Sequence, residues 1–155
     1  MKFFFIALLI MSFSFFSFRE PRQAAAKTVD GRYDAIDTFI RSSRVVVLDY
    51  WFTGCATCKK SIPEMNQIAV SYASKGVKFF GLNPIDDAVK INGYKSKNSV
   101  FYAMLPISYD LAKKCSVYEY PTVVIYKDAK VALTIEGYSM LTQKQVSDKL
   151  DALLK

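Results

Sequence analysis

The apolar and polar positions divide the chain into short elements of two periods. VVVLDY, residues 45–50, is apolar and β-branched with no alternation, the pattern of a strand buried on both faces. VKFFGLN, 77–83, has the same character. Between them Ile62, Met65, Ile68, Ala69 and Tyr72 recur at helical spacing. They predict a helix running from the cysteines at 55 and 58 to Ser74, with Gly76 placed to stop it. Tyr33, Ile36, Phe39 and Ile40 predict a shorter amphipathic helix over 33–42. The stretch 86–97 is polar around Ala88, Val89 and Ile91 and is expected to form a helix and loop on the surface. Residues 99–109 read equally as strand or loop, broken by Pro106, and 110–114 as one or two helical turns. PTVVIYKDAKVALTIEG is a hairpin, with strand 122–126, turn KDAK and strand 131–136. TQKQVSDKLDALL predicts a last helix, with Thr142 as N-cap and Val146, Leu150, Leu153 and Leu154 on one face.

Helices and strands alternate first, which implies parallel strands, and the terminal hairpin adds an antiparallel edge. No repeat or low-complexity linker interrupts this order, so residues 27–155 are expected to be one α/β domain. Ahead of it, FFFIALLIMSFSFFSF at 3–18 follows Lys2 and is shorter than the ~20 residues of a spanning helix. It fits a secretory signal peptide cleaved near Ala24-Ala25-Ala26, giving a leader over 1–26. Arg19, Glu20 and Arg22 lie between run and cleavage site, against the positive-inside tendency, so a retained N-terminal anchor is the other reading. Both readings export the domain, and only the second gives it membrane contact.

Composition narrows the chemistry. At 155 residues and 52% hydrophobic, the chain can bury a sizeable core. The net charge is +7, yet basic residues never run longer than pairs such as Lys59-Lys60 and Lys113-Lys114. That is a solvated surface and not the clustered stripe that nucleic acid requires. The chain has no histidine, which removes Cys/His triads, imidazole bases and histidine metal ligands.

Against this background stands WFTGCATCKKSIP, 51–63, with Cys55 and Cys58 directly after a buried strand. Zinc needs four ligands, and only Cys115 remains to add to the pair. Haem attachment of the c type needs histidine after the second cysteine, where Lys59 stands. A structural staple would enclose a loop too small to constrain much of the unfolded chain. The strand-to-helix junction favours redox chemistry instead. Free N–H groups and the positive end of the helix dipole would stabilise a Cys55 thiolate, and Lys59 and Lys60 add positive charge. Cys58, one turn on, could attack a mixed disulfide formed at Cys55.

VVVLDYWFTGCATCKKSIPEM resembles the active-site segment of the thioredoxin superfamily, and in particular its exported TlpA/ResA-like branch. Trp51 and Pro63 occupy the family's usual places around the pair, and Asp49 falls where thioredoxins keep a buried acid. VYEYPTVVIYKDAK resembles the family's cis-proline loop and hairpin, and Gly137 falls where a glycine follows the last strand. The likeness runs over about residues 30–155. It implies a thioredoxin-like three-layer α/β/α sandwich, with a mixed central sheet and a C-terminal antiparallel hairpin. It also implies that Cys55 is the exposed nucleophile, Cys58 the buried resolving thiol, and Asp49 a carboxyl behind Cys58 that moves its proton. Pro121 would be cis and face the pair, keeping metals off it, while the backbone of Tyr120 pairs with substrate. Trp51 and Pro63 would support the site by packing and by a helix kink. No metal, nucleotide or flavin is implied, since the Cys55–Cys58 dithiol is itself the redox group. The implied partners are disulfide-bearing proteins and a membrane-borne thiol donor, met by a monomer in a bacterial periplasm or cell envelope.

Several positions depart from the family pattern. Gly54 replaces a bulky residue before the first cysteine, and Ala56-Thr57 lacks the frequent proline between the two. Ser61 stands where many ResA-like proteins have glutamate, Phe79-Phe80 near a lysine site of cytosolic thioredoxins, and Ala129 in place of a turn glycine. Cys115 is expected to be a small buried residue at a helix end. The activity expected is that of a protein-disulfide reductase, although an oxidase or isomerase would share these residues. Two other functions remain open on the sequence: a peroxiredoxin-like peroxide reductase, which would want a lone cysteine, and a non-catalytic binding module.

Overall fold

The computed structural model describes Asp37, Ile40, Arg41 and residues 43–155. The leader expected over 1–26 lies outside these residues, as does most of the 33–42 helix, of which Asp37, Ile40 and Arg41 are helical. From there the order is β1 (Val45–Tyr50), α1 (Ala56–Ala73), β2 (Val77–Asn83), α2 (Ala88–Lys97) and β3 (Ala103–Pro106). It continues with α3 (Tyr109–Lys114), β4 (Thr122–Lys127), β5 (Lys130–Glu136) and α4 (Thr142–Leu153).

The five strands form one sheet in the order β3-β2-β1-β4-β5. β1 is central and runs parallel to β2, which is parallel to β3; β4 runs antiparallel to β1 and to β5. Every β1 residue is buried because both faces of the strand are covered. Val45 and Val47 join one apolar cluster with Ile62, Met65 and Ile68 of α1, Ile91 of α2, and Val146 and Leu150 of α4. Val46, Leu48 and Tyr50 face the other way, onto Ile40, Ile107, and Leu111 and Ala112 of α3. Helices on both faces of a mixed sheet make the three-layer sandwich that the resemblance implied.

Pro106 is the last residue of β3, opposite Asn83, on an edge strand where its missing N–H costs no ladder bond. Three local expectations need correction. The helix over 88–97 is not wholly superficial, because its Ile91 is fully buried. The hairpin turn is shorter than KDAK, with β4 and β5 joined through Asp128 and Ala129 alone at φ 47° and 62°. Both residues are left-handed, as a two-residue turn between twisted strands demands, although neither is glycine. Thr142 is the first residue of α4 and not its cap. Its buried hydroxyl turns back to accept from the Ser139 N–H at 3.0 Å, and Leu141 holds the cap position without a side-chain bond.

Candidate active site

Strand register builds the site. Tyr50, the last residue of β1, pairs with Thr122, the first of β4. The chain segment leaving β1 therefore lies beside the segment entering β4, and positions 51–58 meet 120–121 beyond the ends of these two interior strands. The Trp51 N–H prolongs the β1–β2 ladder by donating to Leu82 O at 3.0 Å, which fixes the start of the cysteine segment.

Cys55 is the N-cap of α1, and Cys55 and Cys58 are joined as a disulfide. The Cys58 N–H donates to Cys55 Sγ at 3.0 Å, so one of the free donors of the first helical turn is aimed at this sulfur. Thr57 Oγ1 lies 3.4 Å from the same sulfur. An 18-residue helix behind it supplies the positive dipole end. Cys58 is fully buried. Cys55 was expected to be exposed, but it is only 6% accessible, being covered at the helix end. Gly54, Ala56, Thr57, Lys59 and Lys60 are exposed and form the rim around it.

The Tyr120–Pro121 bond is cis, and the Tyr120 carbonyl oxygen lies 3.8 Å from Cys55 Sγ. Pro121 is buried, and its own carbonyl accepts from the Gly137 N–H at 2.8 Å, which ties the loop to the end of β5. Pro63 lies within α1 on its exposed side.

Asp49 shares a face of β1 with Val47 and Trp51, the face covered by the helix that carries Cys58. Its carboxyl is buried, and burial pushes its pKa up from 3.8 to about 6, an upward push that a hydrogen bond from the Tyr102 hydroxyl at 2.9 Å partly offsets. Trp51 is fully buried, with its ring 4.9 Å from that of Tyr94.

Residues 25–150 match the family model described as Redoxin. The chain belongs to the redoxin family. This redoxin is 29% identical over 112 residues to the thiol-disulfide oxidoreductase ResA of Bacillus thuringiensis subsp. konkukian. That match takes in 71% of this chain, and the chain spans 61% of the length of the relative. Among solved structures, StoA from Bacillus subtilis superposes with a TM-score of 0.61 at 18% identity, over 70% of this chain and 83% of that one. A secreted Mycobacterium tuberculosis disulfide oxidoreductase homologous to E. coli DsbE gives 0.64 at 19% identity, over 74% and 85%. These structures establish the shared thioredoxin-like fold.

Three features of the redoxin site escaped the sequence reading. Phe52 packs over Gly54, where an added Cβ would sit 3.1 Å from the Phe52 ring, and it meets the Tyr120 ring edge-on at 5.5 Å. The aromatic bulk missing at position 54 is thus supplied from position 52. The segment before Cys55 is also tied down by Asp86, whose carboxylate accepts from the Thr53 N–H at 2.7 Å and the Thr53 hydroxyl at 3.0 Å. Asn83 Nδ2 donates to the same carboxylate at 2.9 Å and Lys90 pairs with it at 2.6 Å. Burial would raise Asp86, but the Lys90 ammonium and these donors outweigh it and hold the carboxyl well below the usual carboxylate range. Tyr102, the partner of Asp49, is the third. Among the described residues no cluster of three or more His, Cys, Asp and Glu side chains converges as a metal site.

Proposed function

We propose that this redoxin is a thiol–disulfide oxidoreductase working as a protein-disulfide reductase, with Cys55 and Cys58 as its only redox group. What carries the reading is the seat of Cys55: a sulfur at the cap of a long helix, facing the Cys58 N–H, beside the carbonyl that precedes Pro121. In the dithiol form, Cys55 thiolate attacks a substrate disulfide and releases one substrate thiolate. The resulting mixed disulfide is resolved when Cys58 loses its proton to Asp49 and attacks Cys55 Sγ. The second substrate thiol leaves, and the pair holds the two oxidising equivalents as the Cys55–Cys58 disulfide. A membrane-borne thiol donor would reduce that disulfide and complete the cycle. The Tyr120 backbone, held beside Cys55 by the cis bond to Pro121, gives a substrate segment a place to pair strand-fashion. Ala56 and Thr57, exposed between the cysteines, set the potential together with Gly54.

The apolar run at 3–18 supports an exported domain, placing the chemistry in a bacterial periplasm or envelope, where disulfides are made and broken. The test is reduction of insulin disulfides by dithiothreitol with the protein as catalyst. The wild type accelerates it, Cys55→Ser abolishes the acceleration, and Cys58→Ser accumulates mixed disulfides at Cys55. Unchanged reduction by Cys55→Ser would refute the reading, and peroxide turnover without a disulfide partner would replace it with a peroxidase.

A further inference from the structure

Asp49 on β1 stands in register with Gly81 on β2, and Gly81 stands in register with Met104 on β3. Tyr102 precedes the edge strand β3, so its ring reaches the Asp49 carboxylate only by crossing over β2. Gly81 opens that crossing. A Cβ there would lie 3.0 Å from Trp51 Nε1, 3.1 Å from Met104 Cγ and 3.1 Å from Tyr102 Cε2, tight enough that all three neighbours would have to give way. β2 therefore omits a side chain at the one position where the Tyr102 ring has to pass.

We infer that Tyr102, let through by Gly81, is the positioning residue that presents Asp49 to the resolving thiol. The inference rests on the thiol–disulfide reading above. The Tyr102 hydroxyl donates to Asp49 Oδ2 at 2.9 Å, while Oδ1 is buried with no hydrogen-bond partner. One carboxylate oxygen is held and the other is left with open lone pairs, on the side of the sheet packed against Cys58. When the mixed disulfide is resolved, the Cys58 S–H proton goes to Oδ1, the Cys58 sulfur forms its bond to Cys55, and the substrate thiolate departs with the electron pair of the broken bond. The Tyr102 hydroxyl keeps its own proton throughout, since burial and the facing Asp49 charge raise it well above the ordinary phenol range. The titratable groups that act on Asp49 are Tyr102 and Tyr94 from α2, while Cys58 of α1 lies in the apolar cluster on the same face of β1; Tyr94 is also raised, by burial and then by Asp49, and so stays neutral. A neutral phenol donating to a carboxylate favours the charged form, so Tyr102 keeps Asp49 ionised at neutral pH and its free oxygen open to the proton.

The test follows decay of a trapped Cys55 mixed disulfide in single turnover between pH 5 and 9, with the Asp49 carboxyl titrated by 13C NMR in the oxidised protein. Tyr102→Phe keeps the ring and removes the bond. The Asp49 titration, and with it the acid limb of the decay profile, should move up by roughly one pH unit. In Asp49→Asn that limb should vanish, and Tyr102→Phe should add no further shift. A Tyr102→Phe protein of reduced stability but unshifted limb would make Tyr102 merely structural and overturn the inference, leaving disulfide exchange by Cys55 intact. A wild type that forms no mixed disulfide at all would remove the underlying reading as well.

Discussion

Two buried aspartates stand near the ends of neighbouring strands and have opposite fates. Asp49, next to last in β1, has one side-chain hydrogen bond, from Tyr102, and its carboxyl is pushed up to about 6. Asp86 follows β2 and collects Thr53, Asn83 and the Lys90 ammonium, which hold it below the usual range despite burial. Burial penalises charge at both, so the number of donors decides the outcome. A carboxylate with every lone pair engaged stays ionised and works as a clamp. One left half-satisfied changes protonation near neutral pH and can carry a proton. The fold thus places a fixed charge under the loop before Cys55 and a movable one on the sheet face behind Cys58.

Substitutions sharpen this contrast, and the clamp should show the largest effect. Asp86→Ala orphans the buried Asn83 amide and the Thr53 donors and should cost about 4 kcal/mol in urea denaturation. An unchanged midpoint would show that these bonds are dispensable. The two carboxyls also impose opposite pH dependences. Asp86, depressed in the folded state, contributes stability that is present above its unfolded pKa and is lost as pH falls below it. Asp49, raised from 3.8 to about 6, has a native state that holds its proton longer than the unfolded chain, so its ionisation erodes stability as pH climbs through that window. Between pH 4 and 7 the wild type should lose about 2 kcal/mol relative to Asp49→Asn. Parallel stability curves for the two proteins would contradict the buried-acid assignment. On the kinetic side, Asp49→Asn should slow resolution of the mixed disulfide about 10- to 100-fold near pH 7 while sparing the initial attack by Cys55. Stopped-flow measurement of both steps separates them, and equal slowing would mean a general disturbance of the site. The smallest effect belongs to Lys90→Ala. That lysine is exposed, and the backbone and amide donors to Asp86 remain, so the loss should stay under about 1 kcal/mol in thermal unfolding.

What was readable in the sequence was whatever short-range pattern specifies. The unbroken VVVLDY run announced a strand covered on both faces, and Ile62, Met65, Ile68, Ala69 and Tyr72 form the buried face of α1 as their spacing predicts. Cys55 and Cys58 announced themselves as a pair at a strand-to-helix junction. What escaped depends on strands meeting. Tyr102 lies in the ambiguous stretch 99–109, and its reach to Asp49 follows only once Gly81 stands between them. Asp86 looked like the polar start of a surface helix, whereas its carboxylate turns inward across 33 positions to Thr53. Thr142 has the residue type of a cap, but its hydroxyl was claimed by the Ser139 N–H. Asp128-Ala129 shows the converse, a turn made without the glycine that its backbone conformation favours.

The proposed disulfide exchange depends most on Cys55 being a thiolate stabilised at the start of α1. Alkylation of the reduced protein by iodoacetamide, followed across pH with each cysteine mapped by mass spectrometry, tests this directly. Cys55 should react first, with an apparent pKa below the ~8.5 of a free thiol, and buried Cys58 should react only after denaturation. Equal rates at both cysteines, titrating at or above ~8.5, would contradict the account.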